Sequence, residues 1–276
     1  MSIITISRGS LSASVMLAEK VSERLKWAVV TREDVLRAAE KYGIKETGLG
    51  ELSFIEKSPG ILDKMGDRKK HYLLCFQTAL FDFALKGDFI YNGHLAQFLL
   101  TKIPSVVRVL LTAPDEFRIS SVMKESGKSR GEAISHIKLT DERRQKWSHF
   151  LYGVNWKDPA FYDLVFNIER ISIDLAADIL ADVISSEEFK SGKETEQVLR
   201  NLHLASLAKV SLQQSPRTRG SDVEIEADSA SGSLTVTGSC PRVGAGMWEN
   251  DIRTVLSKLE GVKTIKVEKS VVGYYE

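Results

Sequence analysis

The chain has 276 residues, of which 43% are hydrophobic and 27% charged, with a net charge of +1. That length predicts one larger and one smaller domain, and the longest apolar runs fall short of the roughly 18 residues a membrane helix needs, which excludes a membrane span. The near-neutral charge removes any general attraction to nucleic acid, and Cys75 and Cys240 have neither metal-site spacing nor a disulfide framework.

The N-terminus enters a strand at Ile3-Ile4-Thr5-Ile6, with no secretory pattern ahead of it, so a cytoplasmic location is expected. Ser7-Arg8-Gly9-Ser10 then reads as a polar loop, and Leu17, Val21 and Leu25 recur every four residues as on a helix covering one side of a sheet. Val29-Val30 is a short strand, and Thr31 is placed to cap a helix through Glu33, Val35, Leu36 and Ala39. Residues 43 to 66 are rich in glycine and read as loop. Tyr72, Phe76, Leu80 and Phe83 predict a long helix over 67–86, closed by Gly87. Strands follow at Phe89-Ile90-Tyr91 and Val106 to Thr112, with a helix between them. Helices are expected at about 115 to 126 and 130 to 149, then a strand at Leu164-Val165-Phe166 and a helix from Ile173 to Ile184. This alternation predicts an α/β domain on a mainly parallel sheet.

The charged stretch around 185 to 193 marks a boundary, which divides the chain into a domain at 1–187, a linker at 188–193 and a second α+β domain at 194–276. In the second domain a helix from Glu194 to Gln214 leads into Asp222 to Asp228, where Val223, Ile225 and Ala227 alternate with four acids. Ser231-Gly232 turns the chain into Leu234 to Thr237, a helix follows at Asn250 to Leu259, and Thr264 to Glu268 is the last strand.

The loop Arg8-Gly9-Ser10-Leu11-Ser12-Ala13-Ser14 lies between a first strand and a first helix, where backbone N–H groups and the helix dipole favour phosphate. It has no lysine, and a strand-to-helix turn capped by serines accounts for the same residues. Ile4 to Arg8, Leu17-Ala18-Glu19, Thr31-Arg32-Glu33 and Asn92-Gly93-His94 are followed by Arg108 to Pro114, Glu116-Phe117-Arg118, Gly131 to Ile137, Asp141 with Arg144, Asp158-Pro159, and Tyr162 to Asn167. In this order the segments resemble the cytidylate kinase-like family over residues 1 to about 185. The resemblance implies a P-loop kinase-like fold and transfer of a phosphoryl group from ATP, with magnesium, to CMP or a related nucleotide.

On that resemblance Arg8, Gly9, Ser10, Ser12 and Ser14 are the candidate phosphate-binding residues. Arg118, Lys138, Asp141, Arg143 and Arg144 surround the transferring group, and Asn92, Gly93 and His94 receive the acceptor nucleotide. Two departures stand out. Ala13, Ser14 and Val15 replace the two glycines and the basic residue usual in the family, and Asn92-Gly93-His94 replaces the frequent Gly-Arg-Gly. His94 also reads as a helix cap, and the 138–144 cations as a solvated helix face. Trp147, Tyr152, Trp156 and Phe161 read as packing.

Residues 194 to 270 resemble a BON domain through Gly232, Leu234, Val236, Gly238 and Gly261-Val262, which implies a binding module. The four acids of its first strand favour a protein partner or an intramolecular role over an anionic membrane. Two functions therefore compete: a nucleotide kinase, and a pseudokinase that senses nucleotide or acts as a scaffold through the BON-like module. The oligomeric state is left open.

Overall fold

The computed structural model describes residues 1–8, 11–44, 66–94, 96–240 and 245–271. Most of the glycine-rich stretch 43–66, and Gly9 and Ser10 of the candidate phosphate loop, lie outside the described residues. The chain forms two compact units, the first built from 1–35 and 86–192 and the second from 36–44, 66–85 and 193–271.

The first unit carries five described strands: β1 (Ile3–Arg8), β2 (Ala28–Thr31), β3 (Phe89–Asn92), β4 (Val106–Thr112) and β5 (Leu164–Asn167). They lie in the order β2-β3-β1-β4-β5, and every pairing is parallel. Ile3 of β1 stands opposite Phe89 on one side and Val106 on the other. Alternate residues then face opposite layers. Ile4, Ile6, Ile90, Val107, Val109 and Leu111 pack against helix α1 (Leu11–Leu25), through Leu17 and Val21, and against the helix at Ile173–Ile184 through Ala177 and Leu180. On the other face Leu110 packs with Trp156 and Tyr162. Because both faces are covered, the strands read as near-continuous apolar runs. The C-terminal ends of the central strands share one edge, where ligands of open α/β sheets bind.

The helix starts follow their caps. Helix α2 (Arg32–Ala39) opens at Thr31, whose N–H donates to Asp34 Oδ2 at 2.9 Å while the Asp34 N–H donates to Thr31 Oγ1 at 3.2 Å. Helix α3 (Gly66–Lys86) belongs almost wholly to the second unit, and α4 (Ala96–Leu99) is one short turn after β3. Helices α5 (Asp115–Ser126) and α6 (Arg130–Tyr152) follow β4, with α6 opened by a reciprocal capping box between Ser129 and Glu132. The helix at Ile173–Ile184 is α7.

In the second unit α8 (Lys193–Gln214) covers a small mixed sheet of β6 (Val223–Asp228), β7 (Ser233–Cys240) and β8 (Thr264–Val271), with α9 (Ala245–Leu256) between β7 and β8. Strands β6 and β7 are antiparallel, β7 and β8 parallel. Leu204, Ala208 and Leu212 of α8 share a core with Ile225, Leu234, Val236, Ile252 and Leu256. Gly232 has φ +74°, and a Cβ there would come within 2.3 Å of the Gly261 carbonyl, so the β6–β7 turn requires glycine.

Residues 36–44 and α3 join this unit through side chains the linear order of elements does not reveal. His203 of α8 meets Asp82 Oδ1 of α3 at 3.0 Å, and Gln214 donates to the Tyr42 carbonyl at 2.9 Å. Tyr42 and Lys41 bring a hydroxyl and an ammonium to Asp82 Oδ2 at 2.7 and 2.9 Å. Cys75 of α3 is a buried free thiol, and burial pushes it up to about 12, so it is protonated and unreactive.

Candidate active site

A cavity of about 350 Å³ opens at the C-terminal edge of β4. Thr112, Ala113, Asp115, Arg118, Trp156 and Lys157 are among its lining residues. Its volume is in the range of small-ligand pockets. The sheet supplies the floor, α5 brings Arg118, and the chain ahead of β5 brings Trp156 and Lys157.

Asp141 of α6 ties these elements together. Its two oxygens accept from the two terminal nitrogens of Arg118 at 2.8 and 2.9 Å, and Lys157 Nζ donates to Oδ2 at 2.7 Å. Burial works against the charge of Asp141, but the hydrogen bonds from Arg118 and Lys157 outweigh it and hold the carboxyl below its ordinary range. The cluster therefore sets two cations, Arg118 and Lys157, against Asp141 beside the cavity, with Asp115 meeting Arg118 from the rim at 3.4 Å. Arg144, one turn further along α6, lies with its guanidinium 5.4 Å from the Trp156 ring centroid. Such an array suits stabilisation of a phosphoryl group, where catalysis is mostly positioning and charge.

The segment between α6 and β5 is held by its own motif residues. Asp158 accepts from the Ala160 N–H at 2.9 Å and caps the short turn Pro159–Phe161. Asp163 takes the backbone N–H of Arg108 at 2.7 Å and its guanidinium at 2.7 and 3.0 Å, pinning the strand entry to β4. Tyr162 donates to the Trp156 carbonyl at 2.6 Å and accepts from Gln97, which in turn accepts from Ser7. Burial pushes the Tyr162 phenol up to about 12, so it stays a donor at neutral pH. Asp158-Pro159 and Tyr162-Asp163 thus act as the mount for Trp156 and Lys157.

The residues picked out in the sequence fall into three groups. Arg118 lines the cavity and is only 6% exposed, Asp141 is bonded to it, and Arg144 lies over the Trp156 ring of the cavity wall. The partners of Asp141 are Arg118 and Lys157, in place of the expected pairing with Arg144. Lys138 is exposed on α6, one turn ahead of Asp141, and Arg143 is half-buried on the same helix.

Along the candidate phosphate loop, Arg8 closes β1 opposite Leu111. Ser12 gives its hydroxyl to Glu125 in a surface bond, and Ser14 is fully buried, so the Ser14 side chain presents no hydroxyl to a ligand. Val15 is 41% exposed at the place of the family's basic residue. At the end of β3, Asn92 and Gly93 are buried and the His94 ring meets Trp156 edge-on at 5.5 Å. A Cβ on Gly93 would come within 2.3 Å of the Tyr91 hydroxyl, so this close approach admits only glycine.

Sequence reasoning passed over Lys157, Gln97 and the central place of Trp156. The signal for Lys157 was its position two residues before Pro159 in the motif segment, although spacing could not show that it turns toward Asp141.

The parallel sheet, with α1 and α7 on one face and a cavity lined by Arg118 and Lys157 at its C-terminal edge, is an α/β fold of the kinase-like kind. The chain matches the cytidylate kinase-like family over residues 3–170, and it belongs to that family. It is 26% identical over 196 residues to the cytidylate kinase of Pyrobaculum arsenaticum, spanning 70% of this chain and 99% of that one. To the cytidylate kinase of Saccharolobus islandicus it is 24% identical over 186 residues, 67% of this chain and 91% of that one. The match to the cytidylate kinase of Staphylothermus marinus is 26% identical over 101 residues and spans 56% of that protein. Among solved structures, an uncharacterized protein from Eubacterium ventriosum matches with TM-score 0.49 and 20% identity over 67% of this chain and 99% of that one. Dephospho-CoA kinase from Campylobacter jejuni matches with TM-score 0.35 and 9% identity over 67% of this chain and 97% of that one. These two likenesses are too loose to carry a functional argument.

Proposed function

We propose that the first unit is a nucleoside monophosphate kinase that transfers the γ-phosphoryl group of ATP to CMP or a related nucleotide. The observation that carries this reading is the Arg118–Asp141–Lys157 cluster, with Arg144 beside it, on a cavity at the C-terminal edge of a parallel sheet. A phosphate oxygen of the acceptor attacks the γ-phosphorus, the bond to the β–γ bridging oxygen breaks, and ADP leaves with that electron pair. The cations stabilise the charge spread over the transferring oxygens. The backbone of the 9–14 segment, whose residues from Leu11 onward form the first turn of α1, would hold the outgoing phosphates, and Asn92, Gly93 and His94 the acceptor. Magnesium, which would neutralise charge on the triphosphate, would be held there by the exposed Asp115 at the cavity rim together with phosphate oxygens and water.

The engaged hydroxyls of Ser12 and Ser14 and the uncharged Val15 favour a second reading, a pseudokinase that binds nucleotide without turnover. In either reading the helix, two strands, helix, strand order of 193–271 supports a BON-like module, and Glu224, Glu226 and Asp228 on the exposed face of β6 suit a basic protein partner. Calorimetric titration with ATP, CMP and CDP in magnesium, with a coupled assay for ADP on the same sample, tests both. CMP-dependent ADP release establishes the kinase; saturable binding without release establishes the pseudokinase, and neither overturns both.

A further inference from the structure

Two cations share one ring beside the cavity. Arg144 and Lys157 each place their charge 5.4 Å from the Trp156 centroid, within cation–π range. Trp156 itself is 1% exposed and wedged with Leu110 and Tyr162. Its carbonyl is fixed by the Tyr162 hydroxyl at 2.6 Å, and the following N–H, that of Lys157, donates to Asn155 Oδ1 at 3.1 Å. The indole N–H is buried with no hydrogen-bond partner among the described residues, a cost a phenylalanine would not carry. The broad indole face under two cations is what tryptophan offers in return.

Arg118 and Lys157 share Asp141 but are not equivalent. The Arg118 side chain is 8% exposed and holds both carboxylate oxygens, the geometry of a strut. The Lys157 side chain is 49% exposed on the cavity wall and gives Asp141 one bond, and an ammonium has three donors. A phosphate entering the cavity can take Lys157 while Arg118 keeps the carboxylate satisfied.

We propose that Lys157 is the phosphate-binding cation of this chain, replacing the charge that its phosphate loop lacks at Val15, and that Trp156 is the positioning residue that holds it. This rests on the phosphotransfer reading above, with the ligand class narrowed to the oligophosphate of a nucleoside triphosphate. The substitution is chemically reasonable because a lysine acts on phosphate as a point charge, so its origin on another segment matters less than where its nitrogen sits.

The test is calorimetric titration of the full chain with inorganic tripolyphosphate and with ATP. Lys157→Met should weaken both by about 10- to 100-fold, the usual worth of a charge-assisted contact, whereas Lys157→Arg should retain most of the affinity. Val15→Lys added to Lys157→Met should recover part of the loss. Trp156→Phe should weaken binding in the native background by clearly more than it does in Lys157→Met, where only Arg144 is left for the ring to position. ATP binding that survives Lys157→Met unchanged overturns this inference and leaves the phosphotransfer reading standing. A native protein that binds neither tripolyphosphate nor ATP overturns both. Losses from Trp156→Phe that add in full to those of Lys157→Met overturn the positioning role alone.

Discussion

Asp141 in the first unit and Asp82 in the second are buried to nearly the same degree, with side chains 16% and 14% exposed, and each gathers several donors. Their surroundings differ in kind. Asp82 is met by Lys41, Tyr42 and His203, three residues that fasten α3 and the 36–44 segment to α8, and the Lys41 side chain is itself 59% exposed. Asp141 lies beside a cavity, and one of its two cationic partners is half-exposed there. An exposed lysine belongs to both clusters, so exposure alone does not separate them; the comparison teaches that a buried carboxylate cluster points to function when its cations line a cavity. A cluster whose donors serve to fasten one element to another points to architecture.

The largest effect expected from breaking this contrast is at Asp141. Asp141→Ala leaves the buried Arg118 with only its longer contact to the exposed Asp115, which should cost about 3 kcal/mol in urea unfolding and abolish any phosphotransfer. Gly93→Ala comes next, because the added methyl must displace the fully buried Tyr91 ring; a loss of about 1–3 kcal/mol is expected from the same measurement.

Asp82→Asn should cost about 2 kcal/mol and leave nucleotide binding by the first unit unchanged. It also sharpens the comparison through pH. Burial opposes the Asp82 charge, yet hydrogen bonds from His203, Lys41 and Tyr42 hold its carboxyl down at about 2. A carboxyl depressed in the folded state contributes stability in full above its unfolded value of about 4, and that contribution fades as pH falls from there toward 2. Melting temperature measured across that interval should fall less steeply in Asp82→Asn than in the native chain. The smallest effect belongs to Ser12→Ala, which removes only a surface bond to Glu125. Stability should shift by less than about 0.5 kcal/mol with ATP affinity unchanged, and a large affinity loss would return the loop hydroxyl to the site.

Much of the fold was legible because its signals are local. The spacing of Tyr72, Phe76, Leu80 and Phe83 marks α3, and the runs at 3–6 and 106–112 mark strands buried on both faces. Thr31 caps the helix that follows it. The site was legible in part. Arg118, Asp141 and Arg144 were found through motif order, but Trp156 read as packing, and Lys157 had no periodicity to distinguish it from any exposed lysine. The two features are properties of a ring face and of an ion pair between residues 16 apart, which no pattern of residue types records.

Periodicity and order in the sequence by themselves determined the strands and helices, the parallel α/β class of the first unit and the loss of charge at Val15, since each depends on neighbours along the chain. Tertiary structure decided the grouping of α3 with α8, the burial of Ser14, and the convergence of Arg144 and Lys157 on Trp156. Those depend on which distant side chains find a complementary charge, hydroxyl or ring once the backbone has closed, and that complementarity exists only in three dimensions.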